Sequence, residues 1–411
     1  MSKKVKKLIP ELRFSEFEGD WEYGKLQNLI NKLDAGVSVN SESHKAFKND
    51  KGVLKTSCVS TGKFDPNENK LVSDEYEKTR LKEPVTKDTI VICRSNTPIF
   101  VGSNAYIEQD RPNLFLPDKL WAAKTKKHHI AKWVSYLLLK GKTRKLLSLR
   151  ATGTSNSMKN ISKGDLLTLP IYFPKKEEQE KIASFLDTIA LRITQLRRKH
   201  ELLETYKKGV MQKIFSQQIR FKQDDGKSFP DWEKKKLKNI AKINPSSSNF
   251  PSKFLYIDLE RVNNGILSDP ELIVKENAPS RAQRVLKKGD ILYQTVRPYQ
   301  RNNLFFNIDG DYVASTGYAQ LRSKESRKFL YQLIYNNNFV NKVISRCTGT
   351  SYPAINSKDL ANISFLLPKS LEEQEKIANF LTLIDRKNKA VALQIEKLEK
   401  FKKGLLQKMF V

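Results

Sequence analysis

Two long stretches of the chain place hydrophobic residues at alternating intervals of three and four positions. They span residues 177–215 and 372–410, contain no proline, and contain one glycine each, Gly209 and Gly404. A narrow apolar seam sustained over this length is typical of a long helix that packs against another helix. The predicted seam positions are Ile182, Leu186, Ile189, Ile193, Leu196, Leu203, Val210, Ile377, Leu381, Ile384, Val391, Ile395, Leu398 and Leu405.

Each seam has an alternative explanation, an amphipathic helix that lies on its own domain. The matched lengths favour pairing of the two stretches with each other. Because the first stretch leads from one half of the chain to the other, the pair is expected to run antiparallel. At about 1.5 Å per residue each helix would be roughly 58 Å long. We therefore expect a rigid spacer between two globular regions related by an approximate two-fold axis.

The two stretches are copies of each other. Both open with EEQEKIA, at Glu177 and at Glu372, and both close with KKG followed by QK and phenylalanine. A TGTS tetrapeptide precedes each copy, and a similar tryptophan-marked segment lies further upstream around Trp21 and Trp232. The chain is therefore predicted to be one module used twice. The expected divisions are a first domain over 1–176, a helix over 177–216, a second domain over 217–371 and a helix over 372–411.

The regions that precede the helices show a mixed pattern. Short β-branched and aromatic runs such as TIVIC, DILYQTV and YVAST alternate with turn residues, as in strands. The segments KWVSYLLLKGKTRKLLSL and RKFLYQLIYNNNFVNKVIS instead show the apolar spacing of helices. The predicted fold class is two mixed α/β (α+β) globular domains in tandem, separated by two long antiparallel coiled-coil helices as an internal repeat.

Charge narrows the class of partner. Lys and Arg number 75 against 45 Asp and Glu, which gives a formal net charge of +30 over 411 residues. Such an excess predicts a polyanionic partner, nucleic acid before anionic membrane, although a solvated basic surface without a partner is an alternative. No apolar run approaches the ~20 residues that span a bilayer, and the first residues lack the apolar core of a secretory signal. A cytoplasmic protein with no membrane association is expected.

Motifs for catalysis and cofactor binding are missing. Both Gly-Lys-Ser/Thr tripeptides lack the first glycine of a nucleotide-binding P-loop, because Tyr136 and Phe221 stand there. The segment from Asn244 begins like a methyltransferase loop but lacks its second proline and its aromatic residue. Three widely spaced cysteines indicate neither a disulfide framework nor a zinc site. We expect no catalytic residue, no metal and no cofactor in this chain.

Residues suited to DNA recognition cluster near the repeated elements of both domains. Phosphates are contacted by Lys and Arg, and base edges are read by paired hydrogen bonds from Arg, Asn and Gln. A structural turn in which the TGTS hydroxyls cap backbone groups is the alternative reading of the tetrapeptides. The candidates in the first domain are Arg94, Ser95, Asn96, Thr97, Arg150, Thr152, Thr154, Ser155, Asn156 and Lys159, and those in the second are Gln294, Arg297, Gln300, Arg301, Asn303, Arg346, Thr348, Thr350, Ser351 and Tyr352.

Taken together, the tandem bodies, TGTS before a proline-ended strand, and EEQEKIA opening a long helix resemble the specificity subunit of type I restriction-modification enzymes. The resemblance covers essentially the whole chain. It implies a non-catalytic subunit in which each of two target recognition domains reads half of an asymmetric bipartite site in double-stranded DNA, while the paired helices set the spacer.

The resemblance also implies partners. These are two modification subunits, which carry S-adenosylmethionine and methylate adenine, and restriction subunits, which use ATP and Mg²⁺. Charged residues at the helix starts are candidate docking contacts, although solvated acids favoured by the helix dipole are an alternative. The candidates are Glu177, Glu178, Lys181, Glu372, Glu373 and Lys376.

Two other functions stay open at the level of sequence. One is an autonomous bipartite DNA-binding protein, similar to a repressor, with no enzyme partners. The other is a nuclease or methyltransferase in its own right, which the missing motifs oppose. Stable co-purification with a methyltransferase separates the first alternative from the specificity subunit.

Overall fold

The computed structural model describes residues 9–47, 49–153, 158–247 and 249–411. The chain divides into two compact units, which we call unit 1 (Met1–Leu196 with Gln394–Val411) and unit 2 (Arg197–Leu393). Both boundaries between the units fall inside long helices. We call Lys176–Phe215 the first long helix and Leu371–Lys408 the second long helix. Each unit therefore contains the start of one long helix and the end of the other.

Unit 1 mixes short strands with short helices. Its described strands are Glu22–Lys25, Ile30–Ala35, Gly52–Leu54, Asn69–Leu71, Pro84–Val85, Thr89–Cys93, Ser95–Asn96, Asn104–Tyr106, Arg111–Phe115, Leu120–Thr125, Lys159–Asn160 and Pro170–Phe173. Its described helices, apart from the long ones, are Leu26–Asn28, Thr56–Val59, Glu75–Arg80, Ala131–Leu139, Gly141–Arg150 and Lys163–Leu167.

Unit 2 also consists of short strands and short helices. Its described strands are Glu233–Lys236, Ala241–Ile243, Lys253–Ile257, Val262–Asn263, Ile266–Leu267, Glu271–Val274, Ala282–Val285, Ile291–Gln294, Leu304–Phe305, Tyr312–Ser315, Tyr318–Ser323 and Ser364–Leu367. Its described helices, apart from the long ones, are Leu237–Ile240, Lys275–Asn277, Pro298–Gln300, Arg327–Leu333, Asn337–Ile344 and Ser357–Ala361.

The two units share one sheet topology. In unit 1 an antiparallel central sheet has the order Ile30–Ala35, Leu120–Thr125, Thr89–Cys93, Asn104–Tyr106, and in unit 2 the order is Ala241–Ile243, Tyr318–Ser323, Ile291–Gln294, Leu304–Phe305. A second four-stranded sheet in each unit contains one parallel pair, Gly52–Leu54 with Arg111–Phe115 and Lys253–Ile257 with Tyr312–Ser315. The predicted fold class is confirmed, and the repeat extends from sequence to topology.

The strands follow the apolar runs of the sequence. TIVIC forms Thr89–Cys93 and is buried along its whole length, as a central strand covered on both faces requires. The segments KWVSYLLLKGKTRKLLSL and RKFLYQLIYNNNFVNKVIS, predicted to be helical, each form two helices. The first breaks at Lys140, whose extended ψ of 136° ends one helix and begins the next. In the second, Asn336 caps the new helix by accepting hydrogen bonds from the Asn338 and Phe339 amides.

Every predicted seam residue of the long helices is removed from solvent to some degree. Leu203, Val210, Ile395 and Leu398 are half-buried, and the others are buried. In unit 1 the start of the first long helix and the end of the second share one core, and in unit 2 the end of the first and the start of the second do so. This arrangement is that of an antiparallel pair. The seams also pack into the domain cores, so the two explanations considered for them both apply at the helix ends.

Each long helix is followed or ended by a phenylalanine that packs into a domain core. Phe215 lies 6.2 Å from Trp232 and 5.8 Å from Phe329, measured between ring centroids. Phe410 lies 6.4 Å from Trp21 and stacks on Trp133 at 5.5 Å. The repeated KKG…QK-Phe ending is therefore a core-forming element. Among the described residues, none of the helices combines the length and apolar character that crossing a bilayer requires.

Candidate nucleic-acid interface

In unit 1 the two candidate DNA-contacting segments are brought together. Ser95–Asn96 pairs antiparallel with Lys159–Asn160, and Thr152 forms a further bridge to Asn160. The backbone amide of Ile161 donates to the Arg94 carbonyl at 2.9 Å. Segments more than fifty positions apart thus form one surface. Thr154, Ser155 and Asn156 lie outside the described residues.

Unit 2 joins the corresponding segments in the same way. Val296 and Thr348 both bridge to Ala354, and the Ile355 amide donates to the Thr295 carbonyl at 3.0 Å. The backbone amides of Ile161 and Ile355 donate the same hydrogen bond in their units, so the residues that accept it, Arg94 and Thr295, occupy equivalent positions. Two residues after this equivalent pair, Asn96 of unit 1 corresponds to Arg297 of unit 2. The two units therefore present different side chains at the same place on the same scaffold.

Arg297 is the most distinctive residue of this surface. Its backbone has a φ of 53°, in the left-handed region that non-glycine residues rarely adopt, and its amide donates to the Pro353 carbonyl at 2.7 Å. Its guanidinium carbon lies 4.2 Å from the ring centroid of Tyr352, which is 65% exposed. The Nε of Arg297 is buried and has no hydrogen-bond partner among the described residues. The stack on Tyr352 restricts the orientation of the guanidinium plane.

In unit 1, Arg94 is placed comparably, with its guanidinium carbon 5.8 Å from the Trp121 ring and its Nε buried without a partner in the described chain. Asn96 differs because its side-chain amide already forms hydrogen bonds within the protein. Its Nδ2 donates to the Thr56 hydroxyl at 3.2 Å, and its Oδ1 accepts from the Thr97 amide at 2.8 Å. Ser95 is buried and Thr97 is exposed.

Two candidates of unit 2 are not placed as expected. Gln294 and Asn303 are 3% and 1% exposed, respectively. The backbone amide of Gln294 donates to Asn303 Oδ1 at 2.9 Å, and the backbone amide of Asn302 donates to Gln294 Oε1 at 3.0 Å. These side chains hold the loop after the central strand and cannot reach DNA. Gln300 is exposed and accepts a bond from Gln294 Nε2 at 2.9 Å.

Several basic candidates are engaged by the protein itself. Arg301, with a φ of 56°, donates to the Tyr335 carbonyl and to Asn337 Oδ1. Arg150 and Arg346 make equivalent bonds to the carbonyls of Asp165 and Asp359, at 2.8 and 3.4 Å. Lys159 donates to the Gly153 carbonyl at 2.8 Å. The remaining candidates, Thr152, Thr348, Thr350 and Ser351, are exposed.

The second glutamate of each EEQ motif is buried. Glu178 is 2% exposed and Glu373 is 0% exposed, so neither is available to a partner, contrary to expectation. Trp21 Nε1 donates to Glu178 Oε1 at 3.2 Å, and Trp232 Nε1 donates to Glu373 Oε1 at 3.1 Å.

An arginine completes each of these two clusters. Arg13 donates from Nε and Nη2 to Glu178 at 2.8 and 2.7 Å, and Arg220 does so to Glu373 at 3.1 and 3.0 Å. The hydrogen bonds to Glu178 raise the pKa of Arg13. The Trp-marked segment and the EEQ motif, separate in sequence, are thus one internal contact. The repeated pairing of Trp with EEQ in the sequence was the signal for it.

The glutamine of the motif is a structural residue that the sequence did not single out. Gln179 is buried and donates to the Pro174 carbonyl at 2.9 Å, while its Oε1 accepts from the Ile130 amide. Gln179 also contacts His129 Nδ1, and partial burial lowers the pKa of that histidine. Gln374 bonds the Pro368 carbonyl and Glu325 in unit 2.

The other docking candidates remain accessible or partly accessible. Glu177 and Glu372 are exposed. Lys181 pairs with Glu16 at 3.2 Å, and Lys376 pairs with Asp224 at 2.6 Å. Among the residues that the structure describes, no cluster of His, Cys, Asp and Glu could hold a metal ion. Burial raises the pKa of the Cys58 and Cys93 thiols.

The geometry agrees with comparisons to known proteins. A model described as type I restriction modification DNA specificity domain matches residues 18–204 and 230–400. The putative type I restriction enzyme MjaX specificity subunit of Methanocaldococcus jannaschii is 25% identical over 410 residues, covering 95% of this chain and 93% of that protein. The MjaVIII specificity subunit of the same organism is 26% identical, and the alignment spans 63% of this chain and 65% of that protein.

A solved structure shows the same fold. The crystal structure of the type I restriction-modification S subunit from M. genitalium superposes with a TM-score of 0.63 at 18% identity, covering 98% of this chain and 99% of that one. The family model matches both units and far more than half of the chain. DNA sequence specificity is therefore the role of this protein, and the chain belongs to the type I restriction-modification DNA specificity family.

Proposed function

We propose that units 1 and 2 each recognise one half of a bipartite site in duplex DNA, and that the chain itself catalyses no reaction. The observation that carries this proposal is the shared scaffold with different side chains at equivalent positions, Arg94 and Asn96 in unit 1 against Thr295 and Arg297 in unit 2. One scaffold with two sets of candidate contacts favours an asymmetric site, because each set suits different base edges. The net charge of +30 supplies attraction to the phosphates.

The long helices have a second role in this proposal. They set the number of unspecified base pairs between the half-sites, and together with adjoining surfaces they dock two modification subunits. S-adenosylmethionine is bound by those subunits, and ATP and Mg²⁺ by restriction subunits. Of the docking candidates, Glu177, Lys181, Glu372 and Lys376 retain this assignment, since Glu178 and Glu373 are buried. An autonomous repressor-like protein is disfavoured by membership of the specificity family.

The decisive experiment is a methylome. The chain is expressed with a type I modification subunit in a host that lacks adenine methylation, and modified adenines are mapped on both strands by single-molecule sequencing. We expect one bipartite motif with two different halves and a fixed gap. A motif with identical halves would contradict the asymmetry. No new methylation, despite a stable complex that binds duplex DNA, would contradict the assigned partnership.

A further inference from the structure

A lysine-rich groove in unit 2 lies outside all of the candidate contacts described so far. Its volume is about 460 Å³, and it is lined by Lys234, Lys235, Lys236, Asn239 and Ser364. Lys234 and Lys236 are exposed and point to the same side of strand Glu233–Lys236, because alternate residues of a strand share a face. Lys235 points to the other side and pairs with Glu233 at 3.0 Å and with Glu325 at 3.3 Å.

The groove carries uncompensated positive charge. Neither Lys234 nor Lys236 forms an ion pair within the described part of unit 2, and none of the residues that line the groove is acidic. Lys342, on helix Asn337–Ile344, lies next to the groove, since its Nζ donates at 2.9 Å to the carbonyl of Ser364, which lines it. Lys324 adds charge at the other side by donating to the carbonyls of Lys238 and Asn239. Such a concentration of one charge sign is attractive to an anion.

The basic surface is continuous with the candidate recognition loop. Lys342 lies in the last turn of its helix, and Arg346 follows four residues later, at the entrance to the TGTS loop. The Arg346 guanidinium reaches the Asp359 carbonyl, beside exposed Lys358. The Asp359 carboxylate accepts a hydrogen bond from the Asn356 side-chain amide at 2.6 Å and keeps its charge, so it offsets one of the three positive charges of Lys342, Arg346 and Lys358. Positive charge therefore extends from Lys234 to the loop that contains Tyr352.

At the equivalent strand, the described part of unit 1 carries fewer lysines although its backbone pairing is the same. Strand registers match Tyr23 with Lys234 and Lys25 with Lys236, because Tyr23 faces Tyr172 and Lys234 faces Leu366. Tyr23 packs beside Tyr172 at 5.2 Å between ring centroids. Arg150 corresponds to Arg346, and Lys342 lies four residues before Arg346. The counterpart of Lys342 in unit 1 is therefore Leu146, which packs against the unit 1 core. Lys234 and Lys342 are therefore specific to unit 2, whereas Lys236 has a lysine counterpart in unit 1, Lys25.

We propose that Lys234, Lys236 and Lys342 form a sequence-independent contact to the DNA backbone, and that it is stronger in unit 2 because only Lys236 has a lysine counterpart in unit 1. This rests on the proposed function, because it assumes that the TGTS loop of unit 2 lies against DNA. Phosphate is favoured over an acidic protein surface because Lys342 lies on the helix that leads directly into that loop. Unit 2 therefore anchors the protein on DNA, and its half of the site contributes more of the salt-dependent affinity than the half read by unit 1.

The test compares salt dependence in full-length variants. Equilibrium binding of purified chain to its duplex is measured between 50 and 200 mM salt, conditions under which log K falls by about 0.9 per phosphate contact for each decade of salt. The K234Q/K236Q/K342Q variant is expected to lower the magnitude of the slope by about 2.7, with the preference among bases unchanged. The control K222Q/K227Q/K369Q removes the same charge from unit 2 beside the start of the second long helix, and its slope is expected to change by much less.

The outcomes separate this inference from the proposed function. If the wild-type chain binds its bipartite site and the groove variant keeps the wild-type slope, the backbone contact is refuted while the function stands. If the control lowers the slope equally, the effect is net charge and the groove is not a contact. If the wild-type chain shows no preference for the site mapped by methylation, the proposed function itself fails. Thermal melts of all variants verify folding, which is expected because every substituted lysine is exposed.

Discussion

At the scale of single residues, the buried glutamates explain why EEQ and a distant tryptophan are repeated together. A carboxylate removed from water is stable only where hydrogen bonds and an opposite charge replace its hydration. Glu373 receives both from Trp232 and Arg220, and Glu178 receives both from Trp21 and Arg13. Each cluster connects the tryptophan-marked segment of a unit to the start of a long helix.

Arg220→Ala is expected to destabilise unit 2 by about 3 to 5 kcal/mol, because it leaves a fully buried carboxylate without its counter-charge. Glu372→Gln, one position from Glu373 but exposed, is expected to change stability by less than about 0.5 kcal/mol. Urea denaturation monitored by hydrogen exchange, which reports the two units separately, measures both variants. Equal effects of the two substitutions would contradict the structural role of the cluster.

Arg297 carries the prediction for base recognition. If its stacked guanidinium reads a guanine, Arg297→Ala is expected to cost about 1 to 3 kcal/mol and to relax one position of one half-site. Arg94→Ala is expected to act on the other half-site in the same manner. Methylation mapping of each variant identifies the relaxed position. Weakening that is uniform over all sequences would instead assign the side chain to a phosphate.

At the scale of elements, the long helices belong to the cores as much as to a spacer. The start of the first long helix contributes Ile182 and Leu186 to the unit 1 core, and the end of the second contributes Leu405 and Met409. Nearby, Lys140 donates to the carbonyls of Phe410 and Val411. Desolvation lowers the pKa of Lys140 to about 8. Neither unit is complete without segments from both long helices.

Phe410→Ala is expected to destabilise unit 1 by about 3 to 5 kcal/mol, because the ring is 3% exposed and its removal leaves a cavity between two tryptophans. Phe401→Ala, in the helix that Phe410 follows, is the matched control, since that ring is 53% exposed. Thermal unfolding followed by the near-ultraviolet signal of the tryptophans measures the difference. Similar melting temperatures for the two variants would contradict a core role for Phe410.

At the scale of the whole molecule, the proposed spacer function predicts how the DNA site responds to helix length. Inserting one heptad in both long helices preserves the seam and lengthens each helix by roughly 10 Å, about 3 base pairs of B-DNA. The methylated motif of this variant is expected to keep both halves and to gain that many unspecified pairs. An unchanged gap would refute the spacer role.

Much of this architecture follows from local pattern. The apolar seams determine the long helices because burying one face of a helix fixes its period, and uninterrupted runs such as TIVIC determine central strands because both faces are covered. The helix break at Lys140 escaped prediction because backbone dihedrals there depend on packing. The burial of Glu178, Glu373, Gln294 and Asn303 also escaped, since a polar residue enters a core only where distant residues supply its bonds.

The sequence by itself therefore determined the duplication, the fold class, the long helices and the attraction to a polyanion, because periodicity, repetition and net charge are properties of the chain. Only the tertiary structure decided which polar side chains face outward, that Arg297 stacks on Tyr352, and that three lysines of unit 2 line one groove. The physical reason is that exposure and pairing depend on which distant segments meet.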